Sequence, residues 1–193
     1  MIDQDTTIDA ASPIFGSGIE VIDGGDGPTQ VQILTGGTVR GFTGLENSEI
    51  VIDGGAVTFL SSLQDSARLV LKNGAIGCTE QVCQVIDYDA LFHVTDSSTL
   101  HVFGGSIGGN IALSGTGTAH VYGKNLALQS QGAGSFVIVS GQFLNDQPAM
   151  LFFDYLVGYE SRIMIHNVPE PRTISLSLLL IGVIHGIRRS RPQ

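Results

Sequence analysis

A short unit recurs along this chain at intervals near nineteen residues, and that period restricts the fold more than any other feature. Its copies are Gln32-Ile-Leu-Thr-Gly-Gly-Thr-Val39, Ile50-Val-Ile-Asp-Gly-Gly-Ala-Val57, Leu69-Val-Leu-Lys-Asn-Gly-Ala-Ile76 and Leu100-His-Val-Phe-Gly-Gly-Ser-Ile107. Two degenerate copies follow, Ala119-His-Val-Tyr-Gly-Lys-Asn-Leu126 and Phe136-Val-Ile-Val-Ser-Gly-Gln-Phe143. With the sixth residue of each as reference, the spacings are 18, 19, 31, 19 and 17 residues.

Each copy alternates as a strand requires. First positions are apolar in all but Gln32. Third positions are Leu34, Ile52, Leu71, Val102, Val121 and Ile138, and eighth positions are Val39, Val57, Ile76, Ile107, Leu126 and Phe143. All are apolar in a chain that is 42% hydrophobic, so chance is a poor explanation. The fifth and sixth positions are mostly Gly, Asn or Ser, residues suited to a backbone turn with no room for a side chain. Turns before the units also repeat, as Leu45-Glu-Asn-Ser48, Leu63-Gln-Asp-Ser66 and Val94-Thr-Asp-Ser97.

A period near nineteen is too short for helical repeats, which need thirty or more residues per unit. The Leu-x-x-Leu-x-Leu pattern of leucine-rich repeats is missing. Short strands joined by Gly turns predict an all-β chain, a right-handed parallel β-solenoid (a β-helix) over residues 19–167. Its coils would stack about 4.8 Å apart on a continuous aliphatic core. A β-sandwich is the alternative. The spacing of 31 marks an insertion, Gly77 to Ala90, to be looped out on one face. Met150–Val157 and Arg162–His166 break the pattern and are expected as the last strands, capping the core. Residues 1–18 are expected to be frayed or part of an incomplete coil.

Charge divides the chain in two. It carries a net −9, yet four of its nine basic residues lie from Arg172 onward, leaving residues 1–171 with five basic and eighteen acidic side chains, a net −13. Such a surface excludes nucleic acid as a partner, because phosphate recognition demands Lys/Arg patches. The tail itself has three parts: Val168-Pro169-Glu170-Pro171, an apolar run from Ile174 to Ile187, and a basic stub of Arg188, Arg189 and Arg191. Ile174, Leu176, Leu178, Leu179, Leu180, Ile181, Val183, Ile184 and Ile187 supply the apolar surface. Fourteen residues span about 21 Å as a helix, short of the roughly 30 Å hydrocarbon core. The terminal position, the Pro boundary and snorkelling arginines nevertheless favour a single transmembrane helix, with the arginines cytoplasmic and the preceding domain outside.

In this order, triplet, apolar helix and arginines resemble the PEP-CTERM sorting domain of exported bacterial proteins. The likeness covers residues 168–191. It implies recognition of Pro169-Glu170-Pro171 by a membrane-embedded exosortase, and transfer from the inner membrane to the cell surface or extracellular matrix. Arg172 departs from the small polar residue usual after the triplet, which bears on the efficiency of processing. Export also requires a signal peptide with a basic start and an apolar stretch. Met1-Ile-Asp-Gln-Asp-Thr-Thr-Ile-Asp-Ala10 is acidic and polar instead, so the true start is expected further upstream.

The chemical candidates are few. Cys78 and Cys83 are the only cysteines, and outside the cell a disulfide stapling the inserted loop is the natural reading, two separate thiols the alternative. Zinc does not fit them, since a structural site needs four ligands. His101 and His120 share one position in neighbouring copies, so stacking would bring them roughly 5 Å apart. With His93 they could ligate a metal; a solvated ladder on a sheet face is the favoured reading. Paired acids could run glycoside hydrolysis, but the fourth positions read Thr35, Asp53, Lys72, Phe103, Tyr122 and Val139, with no acidic pair. Asp65 and Asp96 are equivalent turn residues that the insertion is expected to separate. Asp87-Tyr88-Asp89 is the remaining acidic cluster, read as a solvated loop. No cofactor is implied. These features predict an exported structural or polysaccharide-associated protein that is not an enzyme, with exopolysaccharide as the expected partner. A β-helix lyase or glycoside hydrolase is the competing class.

Overall fold

The computed structural model describes residues 1–12, 18–25, 27–77, 92–130, 136–154 and 162–169. The described residues are mostly β-strand, and their strands join in one connected sheet. In chain order the first eight strands are β1 (Thr6–Ile8), β2 (Ile19–Val21), β3 (Gln30–Leu34), β4 (Thr38–Val39), β5 (Phe42–Gly44), β6 (Glu49–Val57), β7 (Ser61–Leu63) and β8 (Arg68–Ile76). Then come β9 (Phe92–Val94), β10 (Thr99–Val102), β11 (Ser106–Ile107), β12 (Asn110–Leu113), β13 (Thr118–Ser130), β14 (Phe136–Phe143), β15 (Pro148–Asp154) and β16 (Ile163–Asn167).

Three parallel ladders carry the repeat. The longest runs β1-β3-β6-β8-β10-β13 and ends on β16. Its register pairs Gln30 with Glu49, Glu49 with Arg68, Arg68 with Thr99 and Thr99 with Thr118. The sequence period is therefore the pairing register, and the spacing of 31 is one such step enlarged by the insertion. A second ladder runs β2-β5-β7-β9-β12-β15. A third, short one joins β4 to β6 and β8 to β11.

Alternation places one row of each strand inside. Val31, Ile33, Ile50, Ile52, Leu69, Leu71, Leu100, Val102, Ala119 and Val121 are fully buried from the first ladder, and Leu63, Phe92, Val94 and Ile111 from the second. They belong to one hydrophobic cluster. Phe42 and Phe92 meet edge to face within it, ring centroids 6.0 Å apart.

Two sequence expectations are corrected here. In the first copy the buried residues are Val31 and Ile33, not Gln32 and Leu34, because a bulge sets Leu34 opposite both Asp53 and Gly54. The last copy, β14, is not a further parallel repeat. It runs antiparallel to β13 and to β15, and it buries Val137 and Val139 rather than Phe136 and Ile138. The place beside β13 in the parallel ladder is taken by β16, with Ala119 opposite Ile163 and Val121 opposite Ile165. Of the N-terminal segment, Thr6–Ile8 pairs in register with Val31–Ile33, and Ile8 is buried.

The corners are equally regular. Ser48, Ala67, Ser98 and Gly117 each donate a backbone N–H to the carbonyl three residues back, closing four equivalent turns. The first central residue of each has positive φ: Glu46 at 56°, Asp65 at 55°, Asp96 at 54° and Gly115 at 57°. Asp tolerates this left-handed region better than most residues. The insertion does not separate Asp65 from Asp96, contrary to expectation. The Asp65 N–H donates to Asp96 Oδ2 at 3.2 Å, because the chain on either side of the insertion returns to the ladder.

Ser98 buries its hydroxyl with a bond to the Thr95 carbonyl at 2.6 Å. Ser48, also buried, has no partner for its hydroxyl among the described residues, and the next turn carries Ala67 at the same place. Ser48→Ala is expected to stabilise the fold by about 1 kcal/mol, since a buried unpaired hydroxyl costs about that much. Urea denaturation of the two proteins checks this.

Candidate functional site

On the outward side of the longest ladder, alternation brings three rows of side chains together. The first contains Gln30, Glu49 and Arg68. Gln30 Nε2 donates to Glu49 Oε1 at 2.6 Å, Arg68 approaches Glu49 at 3.4 Å, and Gln32 Nε2 donates to Gln30 Oε1 at 2.6 Å. The second row is Gln32, Val51, Val70, His101, His120 and Met164, by direct register. The third contains Asp53, Phe103, Tyr122 and His166, with Lys72 beside Phe103.

At the N-terminal half these rows enclose a shallow groove of about 390 Å³. Val51 and Val70 line its floor, each only 7% exposed although both lie outside the core cluster. Phe103 closes one end. Gln30, Gln32, Glu49, Asp53, Arg68 and Lys72 make the rim. An apolar floor, one aromatic wall and a rim of amide, carboxylate and cationic groups suit a polyhydroxylated ligand.

At the C-terminal half the same rows become aromatic. Phe103 stacks on Tyr122 with centroids 4.2 Å apart, and Tyr122 on His166 at 4.4 Å. His101 stacks on His120 at 4.8 Å. Two diagonal contacts tie the rows: His101 Nδ1 to Tyr122 OH at 3.1 Å, and His120 Nδ1 to His166 Nε2 at 3.0 Å. The latter pair has centroids 5.3 Å apart and planes within 11°, so with a 3.0 Å nitrogen contact the rings meet edge to edge rather than face to face.

Burial holds the His101 imidazole down to about 4, with Arg68, His120 and His166 adding to the effect. His120 is lowered by burial first, then by His166 and Arg68. Both therefore stay neutral at neutral pH. Because the folded His101 value lies below the unfolded 6.5, the unfolded chain binds the extra proton between them. Stability is full above about pH 6.5 and falls as pH drops toward 4. After discounting for solvent screening of a partly exposed ring, the His101 contribution is on the order of 1–2 kcal/mol. Urea midpoints from pH 7.5 to 4 should fall less steeply in His101→Gln than in the unaltered protein.

His93 does not join this cluster. It lies on β9 in the second ladder, paired with Ser62 and Ala112, and is exposed. The third histidine is His166, whose place in the pattern the period could not give. Among the described residues no three His, Cys, Asp or Glu side chains gather as metal ligands, and no helix is long and apolar enough to cross a membrane.

Val168 and Pro169 are described and exposed, and the Val168 N–H donates to the Gly123 carbonyl at 2.8 Å. Glu170 and Pro171, the apolar run, the arginine stub, Cys78, Cys83 and the Asp87-Tyr88-Asp89 cluster lie outside the described residues. No protein-family model, no curated protein and no solved structure matches the chain.

Proposed function

We propose that this chain is an exported surface or extracellular-matrix protein with a structural, polysaccharide-associated role. Its strands wind as a right-handed parallel β-solenoid, and a PEP-CTERM-type tail, processed by a membrane-embedded exosortase, anchors it in the bilayer and sorts it. Support for the winding comes from the nineteen-residue parallel register shared by β3, β6 and β8, and by β10 and β13. Sorting rests on the order of triplet, apolar run and arginines. The polysaccharide role rests on one observation above the others: the outward groove whose apolar floor ends on the Phe103 ring under a polar rim. Sugars present C–H faces to aromatic rings and hydroxyls to amides and carboxylates, so the groove offers both.

Isothermal titration with neutral oligosaccharides tests the binding role. Binding is expected to weaken on the order of tenfold in Phe103→Ala, from loss of the ring as a stacking wall. Unchanged affinity in that variant sinks the assignment to the groove. The competing enzyme reading has a specific support, since Glu49 and Asp53 both line the groove and glycoside hydrolysis needs two carboxyl groups. Mass spectrometry of oligosaccharide incubated with the protein separates the two. Intact ligand is expected; shortened products would replace binding with catalysis.

A further inference from the structure

We propose that His120, His166 and Met164 form a site for one soft monovalent metal ion of the Cu(I) class on the outer face of β13 and β16. Pairing of the two strands sets Met164 directly beside His120 and His166 beside Tyr122, so the three donors share one face. His120 Nδ1 and His166 Nε2 oppose each other at 3.0 Å in nearly one plane. Whichever nitrogen holds the proton between them, the other turns a lone pair toward it. Met164 is 37% exposed, so its thioether is accessible on that face.

The donor set selects the ion. Calcium and magnesium require oxygen ligands, and structural zinc requires four donors including thiolate or further imidazole. Two imidazoles and a thioether suit Cu(I), which accepts low coordination numbers and soft sulfur. With Met164 as third donor in a trigonal site, metal–imidazole bonds of about 2 Å place the two nitrogens about 3.5 Å apart, so the rings must part by about 0.5 Å. Both rings are partly exposed. One imidazole shifts its N–H to the nitrogen facing away, and no net proton is lost. The bound ion ties β16 to β13 through side chains as well as backbone. Since β16 leads directly into Val168, the ion fastens the strand from which the tail departs.

The test uses the full chain with Cys78 and Cys83 alkylated, so that thiols do not compete, and histidine labelled with nitrogen-15. Silver(I) serves as the redox-stable probe, followed by Cu(I) without oxygen. One equivalent of either should shift the imidazole nitrogens of His120 and His166 and the Met164 methyl, and slow amide exchange in β16. Affinity should fall at least roughly tenfold in His166→Ala. Met164→Leu, which conserves volume and keeps the fold, should also weaken binding. The proposal is overturned by absence of uptake, by uptake with the His120 and His166 signals unmoved, or by undiminished affinity in both variants.

Discussion

Phe92→Ala is expected to lower the unfolding free energy by about 3–5 kcal/mol, the range for truncating a large aromatic in a packed core. Phe92 is fully buried, pairs with Ser61 on one side and Ile111 on the other, and sets its ring against Phe42. The cavity cannot close by sliding β9, because backbone bonds fix it between β7 and β12 at the strand spacing. Domains of this size are stable by only about 5–15 kcal/mol, so one substitution removes a large share. Urea denaturation measures the loss. Met150→Ala, on the outer side of β15 and 61% exposed, is the control and should stay within about 0.5 kcal/mol.

Gly105→Ala should cost about 2–4 kcal/mol, for two separable reasons. Gly105 has φ of 83°, where an L side chain is strained. A Cβ there would also stand 2.6 Å from the Gly74 carbonyl oxygen and 3.2 Å from the Gly74 nitrogen, within the neighbouring strand β8. Gly74, with φ of 105°, faces the Gly55 carbonyl in the same way. Backbone on both sides leaves nothing that can yield cheaply. Gly25→Ala separates the two causes: φ is 86°, yet nothing lies within 4 Å of the added atom. Its cost should be about 1–2 kcal/mol, the conformational part alone. If the two variants unfold at the same urea concentration, close stacking of the turns is not what excludes side chains.

The strand content and pairing interval were legible because they depend on local chemistry. Leu100 and Val102 alternate with His101, while Ile50 and Ile52 stand between Glu49 and Asp53, and Leu69 and Leu71 between Arg68 and Lys72; each pair is buried as the period required. What escaped depends on matters that alternation does not encode. The bulge at Leu34 shifts parity by one residue, and Val31-Gln-Ile-Leu34 contains apolar residues at both parities. Phe136-Val-Ile-Val139 is apolar throughout, so neither its buried side nor its antiparallel direction could be read. The histidine cluster was half visible. His101 and His120 stand nineteen residues apart, as the repeat demands, and stack at 4.8 Å. His166 reaches them only because β14 turns back antiparallel between β13 and β15 and the chain then returns beside β13 as β16, a detour with no signature in composition. The groove was invisible for a related reason: Val51 and Val70 are outward-facing residues in otherwise apolar runs, and only the pairing register shows which side they take.

Mass spectrometry of the mature protein, recovered separately from the cytosol, envelope and surroundings of its native host, tests the central claim most directly. A polypeptide outside the inner membrane, ending near Pro169–Pro171 and lacking the apolar run and the arginines, is the predicted result. An intact chain ending at Gln193 and confined to the cytosol would contradict it.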